Sequence, residues 1–445
     1  MMHLHAICAL LHAPAPQKEN IEFTGISIDS RTLQAGHLFI AIRGTRFDGH
    51  AYLAQAIQQG ARAAVVDHPI ETTLPLIIVP NTTHALGVIA QAWRQQFSLP
   101  VVALTGSCGK TTTKSILAHI LEQIAPTLST QGTLNNEIGV PLTLLQLTQQ
   151  HQFAVIELGT NHPGEIAYIA GLTQPNIALI TNITPVHLAG FGSLAGIAAE
   201  KSTLYNALSK NGIAILNQAD AFFSEFKQQN SQRTCLSFGL HPHNDVYATH
   251  CHTTTAGFPA FTLHYRQETG DVVLPLLGQH NILNALAAAC AALALSIPFT
   301  AVQTGLCTVK AVNKRMNRRT TFNGVTLIDD TYNANPTAFL AAIDFLLQQK
   351  GKKILVVGDM GELGPDAAFY HAQLGQQAKE KGVDYLFAVG ELSSHTVEAF
   401  GENAKHFLDK PSLIRYLRQM MNPEHILLVK GSRSAKMEEV VEGLL

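Results

Sequence analysis

Residues 101–114 read Val-Val-Ala-Leu-Thr-Gly-Ser-Cys-Gly-Lys-Thr-Thr-Thr-Lys, a short apolar strand that runs into a glycine loop and then into a helix. This reads as a phosphate cradle, and the rest of the chain is organised around it. Gly106 and Gly109 let the backbone turn so that successive N–H groups point inward, Lys110 adds a point charge, and Thr111 offers a hydroxyl for a magnesium ion. Ile116, Leu117, Ile120, Leu121 and Ile124 fall on one face of the following helix, so core packing would hold its positive end against the loop. The general pattern GxxxxGK[ST] wants glycine at position 104, where this chain has Leu104. What remains, Gly106-x-x-Gly109-Lys110-Thr111 between an apolar strand and an amphipathic helix, reads as nucleotide binding in preference to a structural turn.

A chain of 445 residues allows roughly two to four domains with substantial cores. A net charge of −2 with 14% charged residues gives no electrostatic footprint for nucleic acid or for an acidic membrane surface. The six cysteines form no CxxC pair, which argues for a reducing cytoplasm and against a disulfide framework or a zinc site. In His250-Cys251-His252, successive side chains on a strand alternate in direction, so packing is expected over metal binding. Residues 1–11 are apolar but short and lack a basic leading segment, so no signal peptide is expected. The alanine-rich run 285–295 is about half the ~20 residues of a membrane helix and is expected to be a buried helix.

Residues 25–80 read as a small α/β unit with apolar strands at 25–28, 37–42, 63–66 and 76–79. Its polar stretches, Asp29-Ser30-Arg31 and Arg43 through Asp48-Gly49-His50, set arginines beside glycine and hydroxyl groups, as an anion or nucleotide-sugar site requires. A pair of polar surface loops explains them equally well. From Pro100, strands at 101–104, 153–158, 177–181 and 213–217 alternate with helices, which implies a parallel sheet with its ligand site at the carboxyl ends of the strands. Glu157 closes one strand, and residues 182–187 follow the next. Alternation at Phe261, Leu263 and Tyr265, a turn at 268–271 and a return at 272–277 predict an antiparallel hairpin appended to that sheet. Beyond Lys310, strands at 326–328, 353–357, 385–389 and 425–429 predict a second doubly wound unit. Its loop from Gly358 to Gly364 is spaced GxxGxxG and not GxGxxG, so no NAD site is expected there.

These pieces together resemble the Mur ligases, the ATP-dependent amide-forming enzymes that build the peptide stem of peptidoglycan. Thr105-Gly106-Ser107-Cys108-Gly109-Lys110-Thr111-Thr112 matches that family's phosphate loop, which accounts for Leu104. The run from Asn182 to Leu188, and Glu200-Lys201-Ser202, fall where the family places a magnesium-binding histidine, His187, and a carbamylated lysine, Lys201. The segment Thr133 to Pro141, which holds Asn135 and Asn136, the segment Asp329 to Pro336, and Lys430-Gly431-Ser432-Arg433 look like the member that adds D-alanyl-D-alanine to a UDP-muramoyl tripeptide. The Asp-Asn-Pro-Arg acceptor motif of the sibling that adds the third residue is missing.

The resemblance implies three domains: 1–82 for the UDP-sugar peptide, 83–309 for ATP, and a Rossmann-like 310–445 for the acceptor, closing about a hinge near Lys310. It implies ATP and Mg2+ as cofactors, with Lys110, Thr111, Glu157, His187 and Lys201 at the reacting phosphates. Asn281, Asn284, Arg315 and Asp330 would touch adenine, ribose or phosphate. Ser30, Arg31, Asp48, Gly49, His50, Asn135, Asn136, Tyr332, Asn333 and Asn335 would face the two other substrates. A cytoplasmic monomer with small-molecule substrates, no nucleic acid and no membrane insertion is the expectation. A carbamate presents hard anionic oxygens to magnesium where an ammonium cannot, but only about one lysine in a few thousand is neutral at pH 7, so the modification needs a desolvated setting. Competing readings are a regulatory P-loop protein that binds ATP without making a bond, and a folate-type polyglutamate ligase. Cys108 is particular to this loop, where a helix N-terminus would lower a thiol's pKa, and inactivation by oxidants or alkylating agents, with protection by ATP, is expected.

Overall fold

The computed structural model describes residues 2–16, 20–44, 47–186 and 188–445. Three larger sheets organise them. In the first, the parallel strands Gly25–Ser27, His37–Ile40, Ala63–Val66 and Leu76–Ile78 lie side by side in chain order. Leu38, Ile40, Val65 and Ile77 pack on one face against Leu86 and Ile89 of helix Thr82–Arg94, and Phe39, Ala64 and Val66 pack on the other face against Leu53 and Ala56. A sheet buried on both faces needs near-continuous apolar strands, and Ala63–Val66 is buried throughout.

The second sheet has nine strands. Glu268–Val273, Pro259–Tyr265 and Val246–Thr253 form its antiparallel edge, and Thr234–Gly239, Ile213–Asn217, Ile177–Ile180, Val101–Thr105, Phe153–Glu157 and Thr127–Ser129 continue it in parallel. The loop strand Val101–Thr105 therefore lies between Ile177–Ile180 and Phe153–Glu157. Its carboxyl end is flanked by Thr181 and Asn182 on one side and by Glu157 on the other. Val102 and Leu104 pack with Ile116, Leu117, Ile120 and Leu121 of helix Lys110–Glu122 against the alanine-rich helix His280–Ala294, which presses the phosphate-loop helix onto the sheet.

Two expectations need correction here. The helix ends at Glu122, and Ile124 is 48% exposed instead of completing the core face. Pro126 disfavours helical backbone at the residue before it, so the chain leaves the helix and Ile124 turns outward. The hairpin reverses at Arg266 and Gln267 and not at 268–271, because Tyr265 already pairs with Glu268 and Arg266 takes a φ of 53°. Gly270 lies within the strand, where a Cβ would come within 2.6 Å of Gln303. That glycine answers to close packing and not to a turn.

The third sheet runs Asn317–Thr320, Thr326–Asp330, His425–Lys430, Lys352–Gly358, Tyr385–Val389, Ala404–Phe407, with the first strand antiparallel to its neighbour and the others parallel. Asp330 and Lys430 are register partners at the carboxyl ends of adjacent strands. Among the described residues, no helix is long and apolar enough to cross a membrane.

Leu117 is fully buried beneath the phosphate loop, so Leu117→Ala is expected to cost roughly 2–5 kcal/mol. Ile124→Ala is expected to cost less than about 0.5 kcal/mol. Urea unfolding midpoints of the two variants check this, and equal losses would contradict the packing described.

Candidate active site

The phosphate loop is gripped by the strand end beside it. Ser107 N–H donates to the Asn182 carbonyl at 2.8 Å, Cys108 N–H to Asn182 Oδ1 at 2.9 Å, and Thr181 Oγ1 to the Cys108 carbonyl at 2.6 Å. Ser107 Oγ donates to the Thr184 carbonyl, also at 2.9 Å. The expectation that successive N–H groups all point inward is thereby corrected, since the amides of Ser107 and Cys108 turn to Asn182. The amides left for a ligand are those of the first helical turn, which opens at Gly109 with no side-chain cap. Gly106 and Gly109 are required where they stand. Gly106 has a φ of 144° and a Cβ there would meet Thr181 Oγ1 at 1.9 Å; Gly109 has a φ of 82° and a Cβ there would meet Asn284 Oδ1 at 2.1 Å.

Around this loop the charges are buried. Lys110 Nζ donates back to the Gly106 carbonyl at 2.7 Å, and burial pulls its pKa below the ordinary lysine value while Glu157 opposes that shift. Glu157 receives Asn135 Nδ2 at 2.8 Å and the Thr111 hydroxyl at 3.2 Å, both on Oε1, and its own N–H donates to Thr130 Oγ1. Its Oε2 is buried and has no hydrogen-bond partner among the described residues. A carboxylate oxygen left bare in this way beside a threonine hydroxyl fits a hard divalent cation. Lys114, one turn after Lys110, is buried and holds the Thr130 carbonyl at 2.6 Å. Lys201 lies behind the loop on helix Leu194–Asn206, 1% exposed. Among the described residues its ammonium has no hydrogen-bond partner, and burial followed by the neighbouring charge of Lys110 holds its pKa well below the usual value. His187 lies outside the described residues.

The third unit reaches across to the loop. Arg315 Nη2 donates to Thr111 Oγ1 at 2.9 Å while its guanidinium lies over the Tyr332 ring at 4.1 Å. Asn335 Nδ2 stands 3.3 Å from Cys108 Sγ, and Asn335 Oδ1 caps helix Pro336–Leu347 through Ala338 N–H. Asp330 is held by Lys430 Nζ at 2.5 Å, and Lys430 also reaches the Asn333 carbonyl. A cavity of about 1070 Å³ opens between these elements, lined by Ser107 through Thr112, Asn135, Asn136, Glu157, Asn281, Asn284, Arg315, Asp330, Tyr332, Asn333 and Asn335. Asn281 and Asn284 are tied to each other at 2.8 Å, with Asn281 also on the Leu277 carbonyl.

Thr105 and Gly106 lie beneath that cavity without lining it. The first-unit candidates also stay outside it. Ser30 Oγ donates to Gln55 Oε1, Arg31 pairs with Asp29 in the open, and Gly49 backs onto the Ile42 main chain. His50 bridges Asp48 through Nδ1 and the Asp67 amide through Nε2, and Arg43 pairs with both aspartates. His50, Asp67 and His68 come close enough to suggest a metal cluster. The Asp67 N–H already takes the His50 Nε2 lone pair, however, so this is a hydrogen-bonded hub. Sequence reasoning gave no role to Asn182 as the loop's clamp, to Lys114, or to Lys430 as the partner of Asp330. The first two had a signal, a polar residue directly after an apolar strand and a lysine four residues beyond Lys110. The third depends on a contact 100 residues apart in sequence.

Profiles of one family match three stretches: the Mur ligase family, catalytic domain at 22–102, the Mur ligase middle domain at 104–292, and the Mur ligase, glutamate ligase domain at 314–433. The UDP-N-acetylmuramoyl-tripeptide--D-alanyl-D-alanine ligase of Escherichia coli is 43% identical over 96% of this chain and 95% of its own length. The enzyme of the same name from Haemophilus influenzae is 40% identical over 98% of this chain and 97% of its own. A crystal structure of MurF from Acinetobacter baumannii superposes with a TM-score of 0.92 at 38% identity, covering 99% of this chain and 98% of the other.

Gly109→Ala would place a methyl group on Asn284 Oδ1 at a left-handed backbone position. The variant is expected to lose at least about tenfold in affinity for an ATP analogue, a change of ~1.4 kcal/mol. Calorimetric titration checks this, and unchanged affinity would mean that the loop geometry is not what holds the nucleotide.

Proposed function

The chain belongs to the Mur ligase family and is an ATP-dependent amide-bond ligase, and we propose how its residues divide that work. It joins D-alanyl-D-alanine to UDP-N-acetylmuramoyl tripeptide, giving the pentapeptide precursor of peptidoglycan with ADP and phosphate released. A carboxylate has no leaving group better than oxide, so the γ-phosphoryl group of ATP passes first to a carboxylate oxygen of the donor. The amine of the acceptor then attacks the acyl carbon, the C–O bond to phosphate breaks with its electron pair, and the amine loses a proton as the amide forms. Lys110 and the first-turn amides bind the transferring phosphoryl group, and Arg315 offsets its charge from the C-terminal side.

The observation that carries this assignment is the buried Glu157 Oε2, left without a partner among the described residues beside Thr111, at the sheet edge that Arg315 reaches from the third unit. Thr111, Glu157, His187 and a carbamate on Lys201 would hold Mg2+, which would supply compensation for the charges of phosphate and carboxylate as they approach. Lys201 is suited to carbamylation because burial favours its neutral amine, whose nitrogen attacks the carbon of CO2 and releases a proton. The anion produced would also face the charge of Lys110, which as long as Lys201 is an ammonium only repels it.

Asn281, Asn284 and Asp330 take the nucleoside. Ser30, Arg31, Asp48, Gly49 and His50 take the UDP-sugar, Asn135 and Asn136 the donor peptide, and Tyr332, Asn333 and Asn335 the acceptor. The division of labour is 1–82, 83–309 and 310–445, closing about Lys310 to keep water from the acyl phosphate. The enzyme works as a cytoplasmic monomer with no nucleic-acid partner.

Phosphate release in the presence of UDP-muramoyl tripeptide is expected to depend on D-alanyl-D-alanine. Turnover indifferent to any amino-acid acceptor would instead indicate a regulatory ATPase. With 13C-enriched bicarbonate, a carbamate carbon signal is expected in the protein and is expected to vanish in Lys201→Arg. Its presence in that variant would place the modification elsewhere.

A further inference from the structure

The run Lys430-Gly431-Ser432-Arg433 has an assigned role only at Lys430. Beyond the strand His425–Lys430 the chain turns into the cavity wall. Ser432 N–H donates to the Asp359 carbonyl at 2.9 Å, and a Cβ on Gly431 would press into Met437 at 2.5 Å, so the turn is fixed by packing. Arg433 leaves this turn with its side chain 59% exposed, and Nη1 is 2.6 Å from Glu438 Oε1. Glu438 is nearly buried and receives Lys314 Nζ on the same oxygen at 3.0 Å, so it braces the guanidinium while keeping a second cation of its own.

The cations lining the cavity have separate tasks. Lys110 folds onto the loop carbonyls, Arg315 sits on Thr111, and Lys430 is buried against Asp330. Among the described residues, Arg433 and Lys436 are the two that face solvent from the C-terminal wall. The acceptor is a dipeptide whose amine must approach the acyl phosphate. Its other end is a carboxylate, which phosphate repels and which must be anchored away from the loop. A guanidinium is planar and matches a carboxylate with two parallel N–H groups, and with one edge braced by Glu438 it needs little further ordering to do so.

We propose that Arg433, braced by Glu438, binds the terminal carboxylate of the dipeptide acceptor and selects acceptors that carry one. This rests on the ligase reading above. Glu438 is a positioning residue in this arrangement, and because Lys314 stays with it, replacing Arg433 strands no buried charge.

The test is steady-state kinetics of the full chain with D-alanyl-D-alanine and with its C-terminal amide, for the wild type, Arg433→Lys, Arg433→Gln and Lys436→Met. The wild type is expected to favour the acid strongly. Arg433→Gln is expected to raise the KM of the acid about 30-fold, the scale of one lost charge-assisted pair, and to bring acid and amide together. The KM values for ATP and for the UDP-muramoyl tripeptide, and the melting temperature, are expected to stay where they were. Arg433→Lys is expected to recover part of the preference, because it returns the charge without the fork. An intact acid preference in Arg433→Gln would overturn the proposal, as would collapse of that preference in Lys436→Met alone. No acceptor-dependent phosphate release even from the wild type would sink the ligase reading along with it.

Discussion

The site depends on the grip of Asn182 on the phosphate loop. A glycine loop free to wander would have to be ordered by its ligand, and binding would be weakened by that ordering. Here a single asparagine accepts from Ser107 and Cys108 through its carbonyl and its side chain, and returns a donor from Nδ2 to the Cys108 carbonyl at 3.1 Å. Thr181 fills the space that the absence of a Cβ on Gly106 leaves open. The loop is therefore part of the sheet edge, and the helix behind it is fixed by the alanine-rich helix whose small side chains allow close approach.

That rigidity makes the electrostatics of the hollow consequential. Lys110 and Lys201 are both driven towards the neutral form by burial, and the charge of Lys110 lowers the Lys201 pKa further, while Glu157 opposes the shift at Lys110. A pair of lysines in this state is poorly compensated without an anion, and the roles proposed for them would each supply one: phosphate at Lys110 and a carbamate on Lys201. Lys114 shares the trend, and its hold on the Thr130 carbonyl serves the position of Glu157, since Thr130 also receives the Glu157 N–H.

Much of this was legible in the sequence because the relevant residues are close in the chain. The loop, its flanking strand and helix, Glu157 at a strand end and the four principal strands of each doubly wound unit follow from apolar runs bounded by turn residues. Ile124 was misread because spacing alone extends a helical face past the point where Pro126 stops it. Gly270 was misread because glycine marks both turns and crowded strands, and the Gln303 side chain that distinguishes the two lies 33 residues on. The edge strands Asn317–Thr320 and Ala404–Phe407 were missed because each is only four residues long, the first wholly polar and the second with Lys405 and His406 at its centre. The hydrogen bonds of Arg315 to Thr111 and Lys430 to Asp330 span 204 and 100 residues, and no local pattern encodes them.

Those long-range contacts also define where a cation can sit. Thr111 donates its hydroxyl hydrogen to Glu157 and accepts one from Arg315, which leaves one lone pair on its oxygen. Among the described residues, Glu157 has two donors on Oε1 and none on Oε2. Among the described residues, one Thr111 lone pair and Glu157 Oε2 are thus open acceptors on this side of the loop, both supplied by groups whose other valences are already fixed, while Thr105 Oγ1 at the end of the loop strand is also buried without a partner. A water molecule could serve one of the first two, but a hard cation would satisfy both at once and would also offset the negative charge of the carbamate proposed on Lys201. Arg315 can hold its place on Thr111 while this happens, so the C-terminal unit need not withdraw for the metal to enter.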